Sequence, residues 1–261
     1  MKIDFLIIDP QNDFAHPSGQ LFVPGAEEDG QRLREVLKRY LPKINKIHLT
    51  LDTHHPVHIA HPIFWIDPHG QHPQPFTVIT AQAINQQHWQ TYRPDFQKRA
   101  SDYVDALEAH GRYQLTIWPP HCLIGSFGHN IVAPVAEVIR EWEHNFAVTD
   151  YIVKGANIWT EHYSALQADV PDPDDPSTQL NTRLLKALEQ ADVVICSGQA
   201  LSHCVANTLR DIVTHIPQAD KFILLEDTTS AVAGFEAIGQ QFLEEMRAHG
   251  MCIAKSTASL I

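Results

Sequence analysis

The sequence predicts an α/β fold, a three-layer α/β/α sandwich with a mostly parallel central sheet. Three observations predict it. Short apolar runs recur along the chain, segments with apolar positions three and four residues apart lie between them, and 261 residues at 44% hydrophobic suffice for one sizeable core. The runs at 5–8, 47–51, 151–153, 193–196, 222–225 and 251–254 read as parallel strands, since continuous apolar character suits strands covered on both faces. The segments 29–40, 131–142, 178–189, 203–216 and 235–249 read as one-sided helices. Two stretches break the alternation: residues 55–96, crowded with His, Pro and Gln, and the acidic, proline-rich turn at 171–176. Both are expected as surface loops. The expected organisation is one domain over residues 1–261 with a long His/Pro-rich insertion at about 55–110, serving as a lid or partner surface.

Charge and composition narrow the function. Nineteen Lys and Arg against 31 Asp and Glu give a formal charge of -12, which repels nucleic acid and anionic membrane surfaces. No stretch approaches the ~20 apolar residues that span a bilayer, and the start MKIDFLIID has no cleavage signal, so a cytoplasmic protein is expected. The four cysteines lack C-x-x-C spacing and read as free thiols. Seventeen histidines make a metal site worth seeking. Oligomeric state is left open, a homo-oligomer included.

In open parallel sheets ligands bind beyond the carboxyl ends of the strands, so the residues after each apolar run carry the chemistry. Asp9 ends the first run, where burial would raise its pKa and fit it to take a proton. Lys154 ends another and would be costly to bury without an anionic partner. Cys204 opens the helical segment after 193–196, where a helix N-terminus favours thiolate; Cys122, Cys196 and Cys252 read as inert. Asp52-Thr53-His54 supplies half of a divalent-metal site. His121, held behind Trp118-Pro119-Pro120, offers a third ligand. His55, His58, His61, His69 and His72 are expected to be solvated loop histidines.

Five motifs carry a resemblance: Ile7-Ile8-Asp9-Pro10-Gln11-Asn12-Asp13-Phe14, Asp52-Thr53-His54, Trp118-Pro119-Pro120-His121-Cys122, Lys154-Gly155 with Tyr163-Ser164-Ala165, and the stretch from Gly198 to Val205. In this order they resemble the isochorismatase-like cysteine hydrolases, with the nicotinamidase branch closest. The segment Leu225-Glu226-Asp227-Thr228-Thr229-Ser230 extends the likeness over most of the chain. The resemblance implies Asp9 as general base and acid, Lys154 as its charge partner and Cys204 as nucleophile on a carboxamide. It implies one divalent metal on Asp52, His54 and His121, zinc first, iron or manganese after it. It also implies a cis peptide from Gln199 to Ala200, an oxyanion hole of the Ala200 and Cys204 amides, and a ring slot walled by Phe14, Trp118 and Tyr163. Thr53, His55, Gln199 and Leu201-Ser202 depart from the family pattern around the pocket. The expected activity is metal-dependent hydrolysis of nicotinamide to nicotinic acid and ammonia through a cysteine thioester. The alternatives are a related hydrolase of another small amide or ester, and a non-catalytic metal-binding or scaffold protein.

Overall fold

A computed structural model describes residues 1–261. The six apolar runs are six strands: β1 (Ile3–Ile8), β2 (Ile44–Asp52), β3 (Asp150–Lys154), β4 (Val193–Gly198), β5 (Phe222–Leu225) and β6 (Cys252–Ala254). Across the sheet they run β6-β5-β4-β1-β2-β3, every pair parallel. Every residue of β1 is buried, as a central strand covered on both faces requires.

The main helices are α1 (Ala26–Tyr40), α2 (Gln97–His110), α3 (Ala133–Glu143), α4 (Thr182–Gln190), α5 (Ala206–His215) and α6 (Glu236–Ala248). In α1, Leu33, Val36, Leu37 and Tyr40 form the buried stripe. Right-handed crossovers put α1 and α3 on one face and α4 to α6 on the other, because the chain reverses direction across the sheet after β3. The packing of α1 on α3 and of α5 on α6 agrees. The fourth helix starts at Thr182, four residues later than its apolar spacing suggested: Asn181 accepts the Leu184 N–H at 3.0 Å and fixes the start there.

The 55–96 stretch is not the surface loop expected from its composition. Trp65–Ile66 pairs antiparallel with Gln90–Thr91, Val78–Ile79 pairs with Leu115–Thr116, and Ala81–Asn85 is a short helix. Helix α2 follows, with Ala100, Tyr103, Val104 and Leu107 on its buried side. Ile59, Phe64, Trp65 and Ile79 join the main core. The reason is a set of scattered anchors: Trp65 Nε1–H donates to Ile59 O at 2.6 Å, and Phe64 packs edge-on against Trp159 at 5.7 Å. Such anchors bury surface without the periodicity of a long element.

The chain leaves β1 toward β2 and leaves β4 toward β5, in opposite directions across the sheet. The carboxyl ends of these two neighbours flank a crevice at the switch point, the ligand position of open α/β sheets.

Candidate active site

Asp9 and Cys204 stand on the two sides of that crevice, one after β1 and one in the turn Leu201–Val205 after β4. Gly198 closes the approach: its φ is +123°, and a Cβ there would overlap Ile8 O. Asp9 itself has φ +44°, uncommon for a residue with a side chain. Its amide donates to Thr50 Oγ1 at 3.0 Å, and the Thr50 hydroxyl donates back to Oδ1. Lys154 reaches the same point from β3. Its Nζ lies 2.8 Å from Asp9 Oδ2, 3.1 Å from Asp52 Oδ1 and 3.5 Å from Cys204 Sγ, with its side chain 1% exposed. The register pairs Asp52 with Lys154 directly, so adjacent strands deliver the ion pair.

The charges explain one another. Burial would lower the Lys154 pKa, but the Asp52 and Asp9 carboxylates hold it well above the ordinary lysine value. Burial raises the Asp9 pKa against the pull of Lys154. Burial also pushes the Cys204 thiol well up, and Lys154 only partly offsets this. The resting thiolate expected from the helix N-terminus is therefore outweighed by desolvation.

The metal-type ligands sit beside this group. Asp52 Oδ2 is 3.0 Å from His54 Nε2 and 3.3 Å from His121 Nε2, all three residues buried. Backbone carbonyls orient both rings: His54 Nδ1 donates to Gly155 O at 3.1 Å and His121 Nδ1 to Pro119 O at 2.9 Å. With Nδ1 carrying the proton, each Nε2 turns a lone pair toward a carboxylate oxygen. Three acceptors with no proton among them repel one another, and their spacing matches ligands about 2.1 Å from a shared cation. The residues present thus fit a divalent metal. Asp52 is divided between the two halves of the site: burial would raise its pKa, but the Lys154 ammonium holds it well below the ordinary carboxylate range.

His58 and His61 are not solvated, as their place in a His-rich stretch had suggested; both are fully buried. His61 Nδ1 donates to Pro56 O at 3.1 Å, while its Nε2 is sealed without a partner, 5.3 Å from His54 between ring centres. His58 packs on His54 at 4.5 Å and is fixed by Thr160 O and the Ala60 amide. Between them Ile59 and Ala60 are fully buried, and the chain carries both rings inward with these residues. His55, His69 and His72 are exposed, as expected.

Phe14, Trp118 and Tyr163 are all buried. Phe14 packs edge-on against His121 at 5.4 Å, and Trp118 Nε1–H donates to Tyr163 Oη at 3.0 Å. The Gln199–Ala200 peptide is cis, and the Ala200 N–H bonds to no protein group. All four cysteines are free.

Several supporting residues escaped the sequence reading although they lay inside its motifs. Gln11 grips the Asp52 backbone at both ends, donating to its O at 2.8 Å and accepting from its N–H at 2.7 Å. Asp13 Oδ2 accepts the Cys122 N–H at 2.6 Å. Gly155, at φ +84°, leaves room for the candidate metal ligands: a Cβ would stand 2.8 Å from Asp52 Oδ1 and 2.9 Å from His54 Cε1. Gln199, a departure from the family pattern, donates to Asp29 Oδ2 at 2.9 Å and ties the turn to α1.

No protein-family model matches the chain. In sequence it is 24% identical over 251 residues to the nicotinamidase of Saccharomyces cerevisiae, a match covering 94% of this chain and 96% of that protein. The solved structure of the yeast nicotinamidase bound to the inhibitor nicotinaldehyde superimposes with a TM-score of 0.67 at 19% identity, covering 97% of this chain and 99% of that one. The pyrazinamidase of Pyrococcus horikoshii in complex with zinc gives 0.59 at 20% identity, covering 98% and 99%. This chain shares their fold from end to end.

Proposed function

We propose that this chain is a metal-dependent cysteine amidohydrolase that converts nicotinamide to nicotinic acid and ammonia. The observation that carries this reading is the convergence of Asp9, Cys204 and Asp52 on the Lys154 ammonium, within 3.5 Å of one buried nitrogen. Packing alone gives no reason to gather these four groups. The likeness to nicotinamidases along nearly the whole chain supports the choice of amide.

Asp9 takes the Cys204 proton as Sγ attacks the carboxamide carbon, and the displaced π electrons settle on the carbonyl oxygen. The Ala200 and Cys204 amides receive that oxygen. The tetrahedral species collapses, the C–N bond breaks, and the proton on Asp9 passes to the leaving nitrogen as ammonia departs. Asp9, again a carboxylate, takes a proton from water while the water oxygen attacks the thioester. Expulsion of Sγ and return of the proton restore the thiol. Lys154 stays an ammonium throughout and steadies the changing charge on Asp9. Phe14, Trp118 and Tyr163 hold the ring flat against the site. A divalent ion on Asp52, His54 and His121, with zinc, iron and manganese all suited to this donor set, would supply a Lewis-acidic contact for the ring nitrogen.

The test is ammonia release from nicotinamide, benzamide and acetamide by metal-loaded protein. Nicotinamide is expected to give the highest kcat/KM: stacking separates it from acetamide, and the ring nitrogen separates it from benzamide. Equal rates for nicotinamide and benzamide would remove the metal ligands from recognition. No turnover of any of the three would move the substrate to another small amide or ester.

A further inference from the structure

Asp29 lies in the first turn of α1 and is 2% exposed. Its carboxylate gathers donors from three parts of the chain. Arg32, one turn along α1, reaches Oδ1 at 2.7 Å, while Gln199 Nε2 at 2.9 Å and the Ser230 hydroxyl at 2.7 Å share Oδ2. Burial raises the Asp29 pKa, and these three donors work against that rise. Arg32 also donates through Nε to Asp227 O, which adds a second tie from α1 to the turn after β5. Gln199 uses both ends of its carboxamide here, since its Oε1 accepts the Ser230 N–H at 3.2 Å.

A carboxylate and a carboxamide are both costly to bury, and an apolar pair would close the same space without that cost. What the polar network adds over an apolar contact is direction. The Gln199 N–H donates to Ile8 O at 2.7 Å, its side chain is held by Asp29 and Ser230, and the Leu201 N–H donates to Ser230 O at 2.8 Å. Ala200 stands between these two anchored residues. Its carbonyl accepts the His203 and Val205 N–H groups at 3.0 and 3.1 Å, and its own N–H, in the peptide unit that Gln199 begins, bonds to no protein group.

We infer that Asp29 and Gln199 are positioning residues, which aim the Ala200 N–H at the oxygen that gains charge when Cys204 attacks the amide. This rests on the amidase reading above. Their effect falls on the transition state, where that oxygen carries charge and the direction of its donor counts most, and not on capture of the uncharged amide.

The test uses metal-loaded protein and Gln199→Leu, which keeps the bulk of the side chain and removes its tie to Asp29. Three quantities are read: kcat and KM from ammonia release on nicotinamide, the affinity of nicotinaldehyde, and nicotinamide binding by calorimetry in a Cys204→Ala background. With the aldehyde, Sγ bonds to the carbonyl carbon, the π pair moves to the oxygen and the thiol proton passes to Asp9, so this probe forms the oxyanion without a leaving group. Gln199→Leu is expected to lower kcat and aldehyde affinity about tenfold each, with KM within about twofold and amide binding unchanged. Gln199→Glu sets two carboxylates against each other and should lose more. Adding Asp29→Asn to it again faces one carboxylate with one carboxamide, and kcat is expected to recover to within about threefold of wild type, which a general loosening of the fold would not allow. With wild type active, an unmoved kcat in Gln199→Leu, a fall in amide binding equal to the fall in kcat, or no recovery in the exchanged pair would each overturn the role of Asp29 and Gln199 alone. No ammonia release from nicotinamide by wild type would bring down the amidase reading and this inference together.

Discussion

Lys154 keeps its charge in a sealed site only because two carboxylates face it, and the same ammonium sets the proton balance of Asp9 and Cys204. Cys204→Ala is expected to lower single-turnover amide hydrolysis at least about a thousandfold with little change in the far-UV spectrum; activity within about tenfold of wild type would exclude it as nucleophile. The candidate metal ligands are separable from the loop histidines by their burial. His121→Ala and Asp52→Ala should each lose stoichiometric metal by elemental analysis, whereas the exposed His69→Ala and His72→Ala should keep it. Retention of metal by both of the first two variants would dismiss the assignment. Asp9, Asp52, His54, Lys154 and Cys204 were legible from sequence because each follows an apolar run. His58, His61 and His203 were not: their burial depends on which partners the fold brings beside them, and no local pattern records that.

At the scale of elements, the sheet was legible because buried parallel strands are continuous apolar runs, and all six appeared as such. The 55–96 stretch was not, since its two-residue strands lie below the length at which alternation can be read. Helix α2 was legible in principle, through its spacing at 100, 103, 104 and 107, but fell within a stretch read as insertion. The junction after β3 serves the site a second time, beyond Lys154, through a residue with no side chain. Gly155 offers its carbonyl to His54 and, by lacking a side chain, leaves space for Asp52. Gly155→Ala should therefore weaken metal affinity by about tenfold or more while β3 stays paired, since the strained φ and the new Cβ both act on ligands already in place. Metal titration by calorimetry against wild type checks this, and unchanged affinity would show that the loop yields without cost.

For the molecule as a whole, buried ionisable groups make stability depend on pH in opposing directions. His203 has a folded pKa of about 3 against 6.5 when free, so its contribution is complete above 6.5 and lost as pH falls toward 3. Asp169, raised to about 7 by burial, acts in the opposite sense, its contribution being lost as pH rises from 3.8 to 7. A difference between variants cancels what they share. His203→Phe should gain about 2 kcal/mol relative to wild type between pH 7 and pH 5 in urea unfolding of the metal-free protein, and parallel curves would show that the ring protonates without unfolding. The placement of the proposed base and nucleophile just beyond neighbouring strands has a consequence for how the chain reaches this state. Asp9 and Cys204 are about 200 residues apart in sequence, and β1 meets β4 only when the loop containing β2 and β3 has closed. Collapse and helix formation can precede that closure, but chemistry cannot. Under the proposed reaction, ammonia release during refolding is expected to report the longest-range strand pairing in the molecule, a step that helical signals largely miss.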